Sequence, residues 1–210
     1  MPEQSTDSFL YRPMRPASRK LATLLLNRMI APDAITVAWA AMYIGASFLF
    51  AQGTGRCSFL GSLCILSAGF LDCLDGDLAR ARHKPSNAGA FLEQIFHWVC
   101  QAALIIGIVT GYGTPLSMLS PLLFLGTALV ADQMFHLTYF IVNSGYDRTK
   151  NYWVMHRLTA LLYPLMPINS NLIWMTGLVG LPHLGLAVWV AVAIVVTVIN
   201  CTIYYWVERA

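Results

Sequence analysis

Three aspartates, a glycine and an arginine stand in an otherwise apolar stretch, and a second polar set follows one turn later. The first run is Asp72-Cys73-Leu74-Asp75-Gly76-Asp77-Leu78-Ala79-Arg80, and the second holds Gly89, Glu93 and His97. Charged side chains in a membrane-length apolar segment are costly, so they are functional candidates by default. On a helix, Asp72, Asp75, Gly76, Ala79 and Arg80 recur at three- and four-residue spacing and share a face. Gly89, Glu93 and His97 recur every four residues and share a face of the next helix. Between them, His83-Lys84-Pro85-Ser86 reads as a turn, with Ser86 or Asn87 able to cap the second helix. At ~1.5 Å rise per residue, Asp75 and Glu93 each lie roughly 10 Å from that turn, and Asp72 and His97 roughly 15 Å. Two antiparallel helices joined this way present acidic pairs at matched heights.

Carboxylates gathered so closely do not all stay ionised without a cation between them. An oxygen-rich donor set suits Mg²⁺ or Mn²⁺. Gly76 and Gly89 lack side chains, so a flat or phosphate-bearing ligand can approach the backbone. Arg80, with Arg82 and Lys84, offers donors to phosphate oxygens. The bland alternative is a polar network that only holds two helices together. Three aspartates, a glutamate, an arginine and a histidine exceed what packing requires.

The elements that position these residues are membrane spans. The 210 residues are 57% hydrophobic and only 11% charged, against roughly 25% charged in a soluble domain. Six apolar segments, each near the ~20 residues a bilayer core demands, fall at about 33–52, 57–82, 86–111, 115–143, 165–182 and 184–207. Residues 1–30 read as a polar arm followed by an amphipathic surface helix. In that helix Arg15, Arg19, Lys20 and Arg28 stand beside Leu21, Leu24, Leu25 and Leu26. The expected fold class is therefore an all-α integral membrane protein, with residues 31–210 forming one six-helix transmembrane domain. With six spans both termini share a side. That side receives twelve of the thirteen basic residues and the other only Arg56, which makes it cytoplasmic. The first twenty residues are polar, and no signal peptide is expected there. The formal net charge of +3 is too small to suggest nucleic acid. The five cysteines form no CxxC pair and read as small core residues.

Other polar positions leave alternatives open. Asp132 and His136 share a face of the fourth span at a depth near that of His97. They either orient His97 or the acceptor, or form a pair that satisfies itself. Arg148, Lys150 and Arg157 flank the fourth-to-fifth connection, as ligands for an acceptor phosphate or as anchors to anionic lipid. Gly107 and Gly111 allow close helix packing or a homodimer.

The motif resembles the pattern of the CDP-alcohol phosphotransferase family, D-x2-D-G-x2-A-R-x8-G-x3-D-x3-D. Every spacing agrees, and Asp72, Asp75, Gly76, Ala79, Arg80 and Gly89 agree in identity. The Pro32-Asp33-Ala34-Ile35-Thr36 entry to the first span is also similar to the family. The resemblance implies transfer of a phosphoalcohol from a CDP-linked donor to an acceptor hydroxyl, with release of CMP, in phospholipid or phosphodiester synthesis. It implies two Mg²⁺ or Mn²⁺ ions on Asp72, Asp75 and Glu93, with Asp77 as a helper, and a CDP pocket at Gly76, Ala79, Arg80 and Gly89. It further implies membrane lipids as neighbours, a homodimer, and a bacterial or archaeal cell membrane as the setting.

Two positions depart from the pattern. Glu93 replaces the third aspartate and keeps a carboxylate. His97 replaces the fourth, the family's proposed base. A histidine can be a base, with an unperturbed pKa near 6.5. It can also be a metal ligand, or mark altered or lost chemistry. The competing expectations are a divergent member acting on an unusual hydrophilic substrate, and an inactive CDP- and metal-binding membrane protein.

Overall fold

The computed structural model describes residues 13–82, 87–114, 120–143 and 168–209. These form α1 (Arg15–Leu25), α2 (Pro32–Ala51), α3 (Gly55–Ala81), α4 (Asn87–Tyr112), α5 (Pro121–Asn143), α6 (Ile168–Leu178) and α7 (Pro182–Arg209). Local chemistry starts and stops them. Pro32 opens α2 with its ring in the first turn and Asp33 beside it, where a missing N–H costs nothing and an acid meets the positive helix end. The Thr54 side chain caps α3 by accepting from the Cys57 N–H. The Arg82 guanidinium donates to the Leu25, Arg28 and Ile30 carbonyls, so the orphan end of α1 is satisfied by the residue that ends α3.

Among the described residues, four helical segments are long and apolar enough to cross a membrane: Pro32–Ala51, Gly55–Ala81, Phe91–Tyr112 and Pro182–Thr202. A shorter apolar stretch covers Pro121–Leu137, and α6 has 11 residues. The chain is thus a helical membrane protein with four full-length candidate spans, where six were expected. The expected spans at 115–143 and 165–182 both begin outside the described residues. The outer surface fits this reading, because Phe48, Leu122, Val130 and Val198 are all exposed. Large apolar side chains facing outward on several helices suit a lipid solvent better than water.

α2 is the centre of the motif-bearing part. It packs on α3 and on α4, while α3 and α4 make little close backbone contact with each other. α1 docks on α3, α6 bridges α3 and α7, and α5 rests on α7. The main core runs through Trp39, Tyr43, Phe50, Leu104, Ile108, Phe135 and Trp189. A second small core, Ala22, Ile35, Leu74 and Leu78, seats α1. The apolar face expected to lie on the membrane is therefore partly spent on α3. Leu24 and Met29 stay exposed.

Gly107 and Gly111 serve packing inside the chain. A Cβ at Gly107 would run into the Ser47 backbone, and one at Gly111 into the Phe50 carbonyl. Their missing side chains let α4 touch α2 backbone to backbone, as small residues do in membranes.

Candidate active site

The two halves of the motif meet. His97 Nε2 lies 3.2 Å from Asp72 Oδ1 and 3.9 Å from Glu93 Oε1. Asp72, Glu93 and His97 can each aim one ligand atom so that all lie within 4.8 Å of one another. The cause is local. Asp72 on α3 and His97 on α4 stand equally far along the chain from the connection at 83–86, and their side chains meet.

Asp75 stands apart from that trio. Its Oδ2 accepts from Thr36 Oγ1 at 2.8 Å and from Trp39 Nε1 at 2.9 Å. Its Oδ1 is buried with no hydrogen-bond partner among the described residues. An orphaned buried carboxylate oxygen is expensive unless a cation meets it. Together with the neighbouring oxygen donors and one imidazole, it fits a hard divalent ion. Asp72, Asp75 and Glu93, with His97, are the residues that could hold such an ion.

Trp39 does two things at once. It donates to Asp75, and its ring stacks on the His97 imidazole with centroids 4.7 Å apart and planes 29° apart. It therefore fixes one carboxylate and one imidazole from the α2 side. No spacing within the motif pointed to it; the only sequence signal was Thr36, inside the Pro-Asp-Ala-Ile-Thr segment.

Asp77 faces away toward α1. It accepts from Arg80 Nη2 at 2.7 Å, from Arg15 Nη1 at 3.3 Å, and from Ser18 Oγ. Arg80 folds over Gly76: a Cβ there would stand 3.3 Å from both guanidinium Nη atoms. Ala79 follows on α3 and Gly89 opens α4. Asp132 is buried on α5 and accepts from Trp189 Nε1 at 2.9 Å and Gln133 Nε2 at 3.3 Å. The His136 ring nitrogen Nδ1 lies 2.8 Å from the Asp132 carbonyl oxygen. The Trp189 bond ties α5 to α7, and the other two contacts lie within α5. Lys84, Arg148, Lys150 and Arg157 lie outside the described residues.

Comparisons with known proteins agree with this geometry. The chain is 32% identical over 119 residues to archaetidylinositol phosphate synthase from Methanothermobacter thermautotrophicus, across 56% of this chain and 58% of that protein. The chain thus matches somewhat over half the length of that relative. The crystal structure of Mycobacterium tuberculosis phosphatidylinositol phosphate synthase, in complex with manganese and citrate, superposes with a TM-score of 0.61 at 18% identity. That likeness covers 90% of this chain and 88% of that one, and it shows a shared fold. The family model for CDP-alcohol phosphatidyltransferase matches residues 29–182, a stretch that begins before α2, contains the whole motif and ends at α7. With the motif spacing, the convergent carboxylates and the fold in agreement, the chain belongs to the CDP-alcohol phosphatidyltransferase family.

Proposed function

We propose that this chain transfers a substituted phosphate from a CDP-linked donor to an acceptor hydroxyl and releases CMP. The observation that carries the reading is the cluster of Asp72, Glu93 and His97 beside the Asp75 oxygen that has no hydrogen-bond partner among the described residues. Asp72, Asp75 and Glu93 would hold one or two Mg²⁺ or Mn²⁺ ions. Bound there, the metal supplies positive charge against the diphosphate oxygens and the departing CMP. Gly76, Ala79 and Gly89 leave room for the nucleotide, and Arg80 offers a charged donor to its phosphates. His97 takes the proton of the attacking hydroxyl. Its ring is held in plane by Trp39 and turned by Asp72, which a positioned base requires.

The proposed topology has six spans: the four long segments, α5, and the stretch ending in α6. Both termini and the site face the cytoplasm, supported by the one-sided placement of the basic residues. The name of the archaeal relative contains an inositol phosphate headgroup, which supports a phosphorylated polyol as acceptor. Arg148, Lys150 and Arg157 are then candidate ligands of its phosphate.

A second reading of His97 has its own support, since its ligand nitrogen belongs to the cluster within 4.8 Å. There it would be a metal ligand. Purified protein is incubated with a panel of CDP-alcohols, free and phosphorylated polyols, and Mg²⁺ or Mn²⁺, and CMP is measured. CMP released only when donor, acceptor and metal are all present supports transfer. Metal-dependent CDP binding with no turnover on any pair would overturn it in favour of a binding protein. In His97→Ala, lost turnover at unchanged metal affinity marks a base, and altered metal preference marks a ligand. Full turnover would sink both roles.

A further inference from the structure

Asp77, expected as a helper in the metal set, instead turns toward α1 and Arg80. Its side chain is 4% exposed, whereas that of its partner Arg80 is 59% exposed. A pair three residues apart on a helix surface contributes little and leaves the arginine many rotamers. Here the carboxylate is held from the other side. Ser18, itself fully buried on α1, donates to Oδ2. Arg15 Nη1 reaches Oδ1 and also the Cys73 carbonyl at 3.3 Å. Asp77 cannot turn without breaking those bonds, so Arg80 is offered one seat. That seat lies across Gly76, whose missing side chain leaves room for the guanidinium.

We propose that Asp77 is a positioning residue of the donor pocket: it seats Arg80 over Gly76, and the docking of α1 through Ser18 and Arg15 sets that seat. The inference rests on the reading of Arg80 as a ligand of the donor phosphates. A purely structural Asp77 would also glue α1 to α3, so loss of stability does not separate the two roles. Coupling to Arg80 does, because residues acting through one another give non-additive effects in a double-mutant cycle.

Ser18→Ala and Arg15→Gln weaken the α1 side without changing any residue assigned to the pocket. The full chain is titrated with CDP in the presence of Mn²⁺, and KM and kcat are measured for a donor that releases CMP. Each variant should weaken CDP binding and raise KM by about threefold to tenfold, with kcat within about twofold of wild type. In an Arg80→Ala background the same changes should have no further effect. Arg15→Lys, which keeps the charge, should retain most of the affinity. If an α1 variant fails to fold, Asp77→Asn, which keeps an acceptor for Ser18, is read in the same way. Losses that multiply with Arg80→Ala, or unchanged affinity in a folded variant, overturn the proposal. Coupled CDP binding without CMP release from any donor leaves this proposal standing and overturns the transfer reading. A wild-type chain that does not bind CDP overturns both.

Discussion

α2 and α4 touch in two very different ways along their length. At the Gly107–Gly111 end the backbones meet, because neither glycine has a Cβ to hold Ser47 or Phe50 away. At the Trp39 end an indole fills the space, edge-on to Phe96 at 6.4 Å and stacked on His97. The distance between packed helices follows the size of the side chains at the contact. One end is therefore closed backbone to backbone, and the other is propped on the indole that also holds Asp75. The acidic cluster and His97 lie at the propped end, and the tight packing lies at the other. Close packing fixes the helices at one end, and at the other the indole holds a carboxylate and an imidazole.

The largest effect that tests this contrast is expected at the propped end. Asp75→Asn keeps an oxygen for Thr36 and Trp39 but removes the second carboxylate oxygen, so folding should survive. CMP release should fall by on the order of 10²–10³. Turnover within tenfold of wild type would mean that Asp75 only braces α2. Removing divalent ions with a chelator should abolish CMP release, and Mg²⁺ or Mn²⁺ should restore it. Activity persisting in chelator would overturn the metal role of the cluster.

At the closed end, Gly107→Leu drives a side chain into the Ser47 backbone. It should cost about 1–3 kcal/mol of stability, read by thermal unfolding in detergent, while the metal that best supports turnover stays the same. A changed metal preference would show that the two ends are not separable. Trp39→Phe keeps a stacking ring but deletes the donor to Asp75. A lost hydrogen bond to a buried carboxylate is worth about 1.5–3 kcal/mol, so a fall in CMP release of about tenfold or more is expected. The smallest effect belongs to Asp132→Asn, where an oxygen still accepts from Trp189. Turnover within about twofold of wild type is expected, and a large loss would move Asp132 from an α5–α7 brace to the reaction.

Much of the candidate site was legible because helix periodicity is a local property. Asp72 and Asp75 fall on one face of α3, and Glu93 and His97 on one face of α4, once the spacing and the turn are read. The depth argument brought Asp72 and His97 to the same height, and they stand 3.2 Å apart. Asp77 shows where that reasoning stops. Its carboxylate looked like a helper for metal, but two side chains from α1 meet it first. Likewise, the apolar face of α1 suggested a helix lying on lipid, whereas Ala22, Leu21 and Leu25 pack against Leu74 and Leu78. An amphipathic pattern tells which face is buried, not what buries it.

By itself the sequence determined the membrane-spanning helical character, the motif with its spacing, and the substitutions Glu93 and His97. Each follows from residue type and from contacts within a few residues along one helix. Only the tertiary structure decided that Trp39 and Thr36 hold Asp75, that Ser18 and Arg15 hold Asp77, and that Gly107 and Gly111 are spent inside the chain. Those partners lie 36, 39, 59 and 62 residues from the carboxylates they meet. At such separations no helical periodicity links them; the packing of α1 and α2 on α3 chooses the pairs.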